Sequence, residues 1–308
     1  MPQLRSANTM SSLRLPHDRR QKLWSRIPDL ITDAGFRTLK PGTSKFTLSP
    51  TRVRSWPDFA KEVKALVEPY CGKYEAFNSI VAKEFFAVAN ELGVQGRFVN
   101  NVLHPVGEVT ELLKFGVRFG DAQYGVNRRQ DPVKKGQKRK RGQQKIKKAK
   151  SKLIPDIVMV DRKTHTIRVV GEVKTFWTFA PKRRQTWHNF LSAKLGMWSY
   201  IFPGKISKAD CTVNDIGQVA RYMDDHYCRY GFLTTYEYTW FVKRQDDTHF
   251  LMSPPISATA QSSTYGVSLR ECLFATAIRA ADDKESDYGV RCGPHLVGYG
   301  SLKICSVC

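Results

Sequence analysis

The sequence predicts an α/β (α+β) fold in which a central mixed sheet is flanked by helices. Three observations lead to this prediction. Two Val- and Ile-rich runs, Ile157–Val160 and Ile167–Val170, enclose a polar turn and are typical of a β-hairpin. A helical pattern follows over Asn214–Tyr230. A second hairpin, Phe232–Thr235 with Tyr238–Arg244, then extends the sheet.

Composition and charge limit the classes of partner. The chain has 308 residues, 41% of them hydrophobic, which is enough for a real core. Its 50 Lys and Arg against 28 Asp and Glu give a net charge of +22, a field that attracts polyanions. Nucleic acid is therefore the predicted partner, although a ribosomal or anionic membrane surface would satisfy the same field.

Cysteine usage and hydropathy bear on the cellular compartment. Seven cysteines, an odd number without an obvious framework, favour a reducing environment. The N-terminal stretch lacks the apolar core of a signal peptide, and no run approaches the length of a membrane span. We expect a soluble, intracellular protein with no membrane partner.

Three parts are predicted along the chain. Residues 1–50 read as a flexible basic N-terminal tail and linker, in which Gln21–Ala34 could form a short helix. Residues 51–285 are the predicted domain, with a disordered basic loop at about 122–152. Residues 286–308 are a cysteine-containing C-terminal tail.

Periodicity and punctuation predict the remaining elements of the domain. Helices are expected to begin near Pro57 and to cover Lys73–Leu92 and Ser268–Asp282. Arg97–Val106 reads as a strand that leads into the core sheet, and His249–Met252 as a strand added to it.

The basic loop is the most charged part of the sequence. Residues 134–152 contain eleven Lys or Arg and no acid, which leaves +11 (22 − 11) for the rest of the chain. This run has three possible roles: it contacts phosphates, it directs nuclear import, or it is merely a solvated loop. Its densest cluster is Lys138, Arg139, Lys140 and Arg141. Nuclear import would place the protein in the nucleus.

Charged residues fall at the ends of the first hairpin. Asp156 opens its first strand, while Glu172 and Lys174 stand two apart near the end of the second. Side chains at i and i+2 of a strand point to the same face, so Glu172 and Lys174 project together, and the hairpin can bring Asp156 beside them. Two carboxylates beside a lysine predict a divalent-metal site next to a cation.

These motifs resemble the PD-(D/E)XK nuclease superfamily, over residues 70–285. Pro155-Asp156 and Glu172-Val173-Lys174 match its Pro-Asp, hairpin, Glu-x-Lys signature. Gln218-x-x-x-Tyr222, in the helix expected to end at Gly231, is similar to the Gln-x-x-x-Tyr helix of the RecB-like branch. The run VGEVKT and the later Tyr-Gly-x-Leu-Thr-Thr also resemble a group of fungal nuclease-domain proteins. The resemblance implies a restriction-endonuclease-like core.

The resemblance also implies a reaction, the hydrolysis of phosphodiester bonds in DNA or, as the second choice, RNA. It assigns Mg²⁺ (or Mn²⁺) to Asp156, Glu172 and the backbone carbonyl of Val173, since Mg²⁺ prefers hard oxygen ligands. Lys174 would orient the attacking water and stabilise the charge that develops on the phosphate.

Three further positions are implied at the site. The first core helix of the superfamily often supplies an additional acidic residue, for which Glu75 is the preferred candidate and Glu84 the alternative. Gln218 and Tyr222 would position the phosphate or the Lys174 ammonium. If so, they must face the same end of the sheet as the two carboxylates and the lysine.

Two other clusters leave alternatives open. Lys182, Arg183 and Arg184 follow Trp177 and could contact phosphates while aromatic rings stack on bases, although the tryptophans could equally be core residues. In the tail, the potential zinc ligands are Cys292, His295, Cys305 and Cys308. An iron–sulfur cluster formed by Cys71 with the three tail cysteines, or plain reduced thiols, are the alternatives.

Two readings compete with an active nuclease. One is a catalytically silent nucleic-acid-binding protein on the same fold, and the other is a nuclear interaction or effector protein whose charge serves import and protein contacts. The sequence favours the enzyme because Asp156, Glu172 and Lys174 are all present.

Overall fold

A computed structural model describes residues 14–38, 46–48, 50–75, 81, 83–121, 123–124, 154–179, 214–246, 249–283 and 298–299. The α-helices are α1 His17–Trp24, α2 Phe59–Cys71, α3 Glu91–Phe98, α4 His104–Leu112, α5 Phe176–Phe179, α6 Asn214–Asp225 and α7 Leu269–Asp282. A π-helical turn, Val99–Leu103, joins α3 to α4, and 3₁₀ turns occupy Ala34–Phe36 and Pro50–Arg52. The strands are β1 Ile31–Thr32, β2 Phe46–Thr47, β3 Val53–Ser55, β4 Ala87–Val88, β5 Val117–Gly120, β6 Ile157–Asp161, β7 Ile167–Val173, β8 Tyr230–Thr234, β9 Tyr238–Arg244, β10 Phe250–Met252, β11 Ile256–Ser257 and β12 Gly298–Tyr299.

Most strands belong to one eight-stranded sheet. Its order is β3-β10-β9-β8-β7-β6-β5, with β11 paired to β9 beside that path. The pairs β7–β8 and β10–β3 are parallel and the other pairs are antiparallel, so the sheet is mixed. Two small two-stranded sheets, β1–β4 and β2–β12, lie outside it. The predicted α/β architecture, a central mixed sheet flanked by helices, is confirmed at this level.

Strand β7 lies near the middle of the sheet and is buried along its whole length. Its side chains alternate between two apolar clusters because successive residues of a strand point to opposite faces. Val169 and Val173 belong to the cluster that also holds residues of α1, α2, α3, α4 and α7. Val170 belongs to the second cluster, which holds α6. Glu172, two residues from Val170, is thereby directed towards α6.

Helix α6 crosses over between the parallel strands β7 and β8, and it packs close to them because β8 contains a glycine. A Cβ atom on Gly231 would lie 2.7 Å from Val219 Cγ1 on α6. Only a residue without a side chain permits that approach. The glycine expected to end the helix is therefore inside a strand. The helix ends earlier, at Asp225, and Tyr227 just beyond it has a left-handed backbone (φ 53°).

Gly171 makes a similar close contact on the other face of β7. A Cβ atom there would lie 2.2 Å from Cζ of Phe232, which is itself fully buried. Replacing Gly171 by alanine should lower the free energy of unfolding by about 1–3 kcal/mol, because extra volume forces a packed core to shift. Chemical denaturation would measure this, with Gly96→Ala as control, since no atom lies within 4 Å of a Cβ at Gly96. Equal stability of the two variants would contradict it.

The expected helix over Lys73–Leu92 was wrong. Residues 73–75 and 83–86 are irregular, and Ala87–Val88 form β4, which pairs in parallel with β1. The helix begins instead at Glu91, where the side chain of Asn90 accepts a hydrogen bond from the backbone N–H of Gly93 at 2.8 Å. The strand expected over Arg97–Val106 was wrong for the same reason, because this N-cap starts a helical run that continues to Leu112.

The prediction of a flexible tail and linker over residues 1–50 was wrong for the described part of that range. Helix α1 packs against α4 and α7, and Leu23, Trp24 and Ile27 are buried in the main core. The helix expected over Gln21–Ala34 is also wrong, because the helix ends at Trp24 and Ser25 is extended. Pro28 lacks the backbone N–H that a continued helix would need.

Other expected elements are confirmed. The hairpins β6–β7 and β8–β9 pair in antiparallel fashion, and β10 adds to the sheet. The helix predicted from Ser268 is α7, with a capping box between Ser268 and Glu271. Within the described ranges, no helix is long and apolar enough to cross a membrane.

Several predictions fall outside the described residues. These are the basic loop at about 122–152 apart from residues 123–124, and the clusters Lys138, Arg139, Lys140, Arg141 and Lys182, Arg183, Arg184. The tail ligands Cys292, His295, Cys305 and Cys308 also lie outside them. Cys71, the proposed fourth cluster ligand, is a buried free thiol in the core.

Candidate active site

Asp156, just before β6, is held by one hydrogen bond to its carboxylate and another to its backbone carbonyl. Register pairs Ile157 with Gly171, so Asp156 lies beside the end of β7, where its Oδ2 accepts from the N–H of Val173 at 2.8 Å. Gln95 of α3 donates its side-chain Nε2 to the carbonyl oxygen of Asp156, also at 2.8 Å. The carboxylate is therefore fixed against the Glu-x-Lys segment.

Glu172 is the buried centre of the site, with 2% of the residue exposed. Its Oε1 accepts hydrogen bonds from Lys174 Nζ and from Gln218 Nε2, the latter at 2.8 Å. Its Oε2 is buried and accepts no hydrogen bond from any residue that the structure describes. A buried carboxylate oxygen without a donor is costly, so a ligand at this atom would be stabilising.

Gln218 and Tyr222 lie one helical turn apart on α6 and face the site together. The Nε2 of Gln218 donates to the Tyr222 hydroxyl as well as to Glu172. The ring of Tyr222 is buried in the apolar cluster under α6. The two residues therefore occupy the same end of the sheet as Glu172 and Lys174, as the sequence led us to expect.

Lys174 joins the strand end to the first turn of α3. Its backbone N–H donates to the carbonyl of Thr234 at 2.8 Å, which continues the β7–β8 pairing. Its Nζ lies 3.8 Å from Glu91 Oε2 in addition to its bond with Glu172. Sequence reasoning missed Glu91. The signal was the Asn90-Glu91 pair, an N-cap residue followed by an acid that favours the first helical turn.

The structure does not bring Glu75 to the site. Its carboxylate is exposed, and its Oε1 lies 3.9 Å from Nη1 of Arg20. The alternative, Glu84, is buried and bonded to Arg97 and Asn101. Both positions were chosen on the assumption of one helix over Lys73–Leu92, which does not exist.

Burial and mutual repulsion control the protonation of the two carboxyls. Burial, followed by the charge of Asp156, raises the pKa of Glu172 to about 8, against an opposing effect of Lys174. Burial also raises the pKa of Asp156 above its usual value. Burial alone would lower the pKa of Lys174, but Glu172, Glu91 and Asp156 outweigh it and raise that pKa. Burial and the charge of Glu172 raise the pKa of Tyr222 well above its usual value, so its hydroxyl stays neutral.

The donor set suits a hard divalent cation. Asp156, Glu172 and the Val173 carbonyl, the ligands expected from the sequence, could offer oxygen atoms to such a cation, and Glu172 Oε2 is a buried acceptor without a donor. Two adjacent carboxyls with raised pKa values are an arrangement that a cation would stabilise. No cluster of three or more His, Cys, Asp or Glu side chains with metal-binding potential occurs in the described ranges, so a cation here would rely on the carbonyl and water for its remaining ligands.

A cavity of about 620 Å³ opens beside Asp156, between the helical run α3–α4 and the strands β5 and β6. Its wall is formed by apolar residues such as Leu103, Val117 and Ile157, and by polar ones that include Gln95 and His104. Asp156 is the one proposed ligand among the lining residues of this cavity.

Comparison with known proteins returns no match. No family model, no curated protein and no solved structure matches this chain.

Proposed function

We propose that this protein is a Mg²⁺- or Mn²⁺-dependent nuclease that hydrolyses phosphodiester bonds, in DNA first and in RNA as the second choice, on a restriction-endonuclease-like core. The observation that carries the proposal is Glu172, a buried carboxylate with one oxygen open, held beside Asp156 and bonded to Lys174. The bond to Lys174 leaves Oε2 without a donor, and an unpaired buried acceptor destabilises the fold unless a ligand satisfies it.

The placement of α6 supports the same proposal. In the RecB-like branch that the motifs resemble, the Gln-x-x-x-Tyr helix follows the Glu-x-Lys strand and packs beside the active site. Here α6 follows β7, and Gln218 donates to Glu172 itself at 2.8 Å. Three short motifs that together span more than sixty residues of chain, from Pro155 to Tyr222, therefore meet in one cluster, as the resemblance requires.

Asp156, Glu172 and the Val173 carbonyl would hold the cation. When bound, it supplies Lewis-acid chemistry that lowers the pKa of water and neutralises charge on the scissile phosphate. The chain's own contribution is positional. Lys174 Nζ, which donates to Glu172 in this structure, would donate to the attacking water and to the phosphate oxygens if that carboxylate held a cation. Because the ammonium is already held by Glu91, it needs little reorganisation to act.

Gln218 and Tyr222 act as positioning residues in this scheme. Gln218 holds Glu172 through its amide N–H, and the neutral Tyr222 hydroxyl accepts from the same amide. The pair fixes the rotamer of Glu172 so that Oε2 stays directed at the site. The high charge of +22 would draw the polyanionic substrate to this cluster, and nuclear import through Lys138–Arg141 remains part of the proposal.

The decisive experiment incubates purified protein with single- and double-stranded DNA and with RNA, in the presence of Mg²⁺, Mn²⁺ or EDTA. Cleavage with either cation and none with EDTA is the expected result. Tight nucleic-acid binding without cleavage would replace the enzyme by a catalytically silent binding protein. Neither binding nor cleavage would leave the interaction or effector role.

Protonation of Glu172 gives a second, pH-dependent prediction. Its pKa of about 8 in the fold lies above its ordinary 4.5, so the cation-free fold binds this proton more tightly than the unfolded chain does. The resulting stability is present at low pH and is lost as pH rises through about 8. Because a cation requires the ionised carboxylate, the rise in melting temperature caused by Mn²⁺ should grow between about pH 6 and 9. A pH-independent thermal shift would contradict this.

A further inference from the structure

The sharpest unexplained feature outside the site is a pair of adjacent phenylalanines held in solvent. Phe85 is 80% exposed and Phe86 is 58% exposed, although both are large apolar residues. They precede β4, which leads through the N-cap Asn90 to Glu91, the residue beside Lys174. Single exposed apolar residues are ordinary, but two neighbouring rings next to a charged site need an explanation.

The segment that carries the two rings is held by the buried side chain of Glu84. Glu84 Oε1 accepts the backbone N–H of Phe85 at 2.9 Å and of Phe86 at 3.0 Å. Its Oε2 accepts from Arg97 Nε at 2.7 Å and from Asn101 at 3.1 Å. Burial would raise the pKa of Glu84, but these four hydrogen bonds outweigh it and lower that pKa. A buried, fully bonded carboxylate therefore fixes the backbone from which both rings project.

Each ring has a cation beside it. Lys83 Nζ lies 5.5 Å from the centroid of the Phe85 ring, and the guanidinium of Arg97 lies 5.9 Å from that of Phe86. Neighbouring rings and cations match a single nucleic-acid strand, in which bases and phosphates also lie side by side. A ring face can stack on a base, and the cation can contact the adjoining phosphate.

The same pattern continues on the other side of Lys174. Helix α5 begins two residues after it, and Arg37 lies 5.1 Å from the Phe176 ring and 5.3 Å from the Trp177 ring. Thr38 joins the two parts, because its N–H donates to the carbonyl of Ala89 and its carbonyl accepts from Trp177 Nε1 at 3.0 Å. The segment that leads from Phe85 and Phe86 to Ala89 is thus connected through Thr38 to Trp177, which follows Lys174 in the chain.

We propose that Phe85 and Phe86, with Lys83 and Arg97, form a stacking platform for unpaired bases, so that the substrate is single-stranded nucleic acid or the single-stranded end of a duplex. This inference rests on the proposed function and narrows its substrate class. Paired bases inside a duplex are already stacked on each other, and only unpaired or terminal bases can lie on a protein ring. The cation beside each ring favours an anionic strand over an uncharged apolar partner.

The test measures binding without cleavage. A fluorescein-labelled oligothymidylate and a duplex of equal length are titrated in EDTA, and affinity is followed by fluorescence anisotropy. The double variant Phe85→Ala/Phe86→Ala should bind the single strand about tenfold more weakly per ring lost, with duplex affinity nearly unchanged. The salt dependence should stay the same, because the rings neutralise no phosphate.

Two further variants distinguish stacking from other causes. Phe85→Trp/Phe86→Trp should retain affinity, whereas Phe85→Leu/Phe86→Leu keeps the apolar surface, loses the ring and should bind as weakly as the alanine variant. Tyr265→Ala, which removes an aromatic side chain that is 92% exposed elsewhere, is the matched control and should change nothing.

Unchanged single-strand affinity in the alanine variant would overturn the platform, as would equal weakening for single strand and duplex. Full affinity in the leucine variant would point to an apolar docking surface instead. Failure of the nuclease proposal would be recognised by a different result from failure of the platform. A protein that binds single strands through these rings but cleaves nothing with Mg²⁺ or Mn²⁺ would retain the platform and lose the enzyme.

Discussion

Glu172→Gln should reduce cation-dependent cleavage by about 10²–10³-fold or more. The substitution removes the charge of a buried ligand and replaces one carboxylate oxygen by an amide N–H₂ group, which cannot bind a cation. The fold should survive. The amide oxygen can still accept from Lys174 and Gln218, and the side chain resembles the protonated carboxyl that a pKa of about 8 already favours at neutral pH. Single-turnover cleavage and the cation-induced shift in melting temperature are the measurements.

Glu111→Gln is the matched control for this variant. Glu111 is an exposed carboxylate on α4 that lines the cavity beside Asp156, where it pairs with Arg162. The substitution replaces an acid by its amide, as Glu172→Gln does, without touching the proposed ligands. Cleavage and thermal shift should both be retained. If Glu172→Gln cleaves as fast as the parent protein, the assignment of the site is wrong.

The core of the site could be predicted because it depends on local geometry. An i, i+2 pair on a strand fixes Glu172 and Lys174 on one face, and an i, i+4 pair on a helix fixes Gln218 and Tyr222 on another. Hairpin pairing then brings Asp156 to Val173. Each of these relations requires only periodicity and short-range register.

The acidic partner from the first helix could not be predicted in the same way. Apolar residues between Lys73 and Leu92 match a helical period, but several of them face a small sheet or solvent instead. Val88 pairs in β4, and Phe85 is exposed. The parallel pairing of β4 with β1 is a long-range contact that outweighs local propensity. Glu91 lies near the end of the helix expected over Lys73–Leu92, but Glu75 and Glu84 were the only candidates taken from it.

The N-terminal segment was misassigned for a related reason. Its basic, weakly periodic sequence gives little helical signal, yet Leu23 and Trp24 fill space between α4 and α7. Some of the contacts that hold it come from more than two hundred residues away, including Ser268 Oγ donating to the carbonyl of Leu23. A local composition rule cannot detect a partner at that separation.

Lys174→Met should also reduce cleavage by about 10²–10³-fold, but through a different step. Methionine fills a similar volume and removes the ammonium that would orient water and contact the phosphate. The oxygen ligands at Asp156, Glu172 and Val173 remain, so Mn²⁺ should still raise the melting temperature. At high pH that shift should equal or exceed the parent's, because the cation no longer competes with Lys174 for Glu172.

The two variants therefore separate ligand loss from loss of the catalytic ammonium. Lys174 lowers the pKa of Glu172, so its removal should move that pKa further up and shift the onset of Mn²⁺ stabilisation to higher pH. Glu172→Gln should lose both cleavage and the cation response at every pH. If Lys174→Met also lost the cation response at high pH, Lys174 would be needed to form the cation site, and its assigned role with water and phosphate would fail.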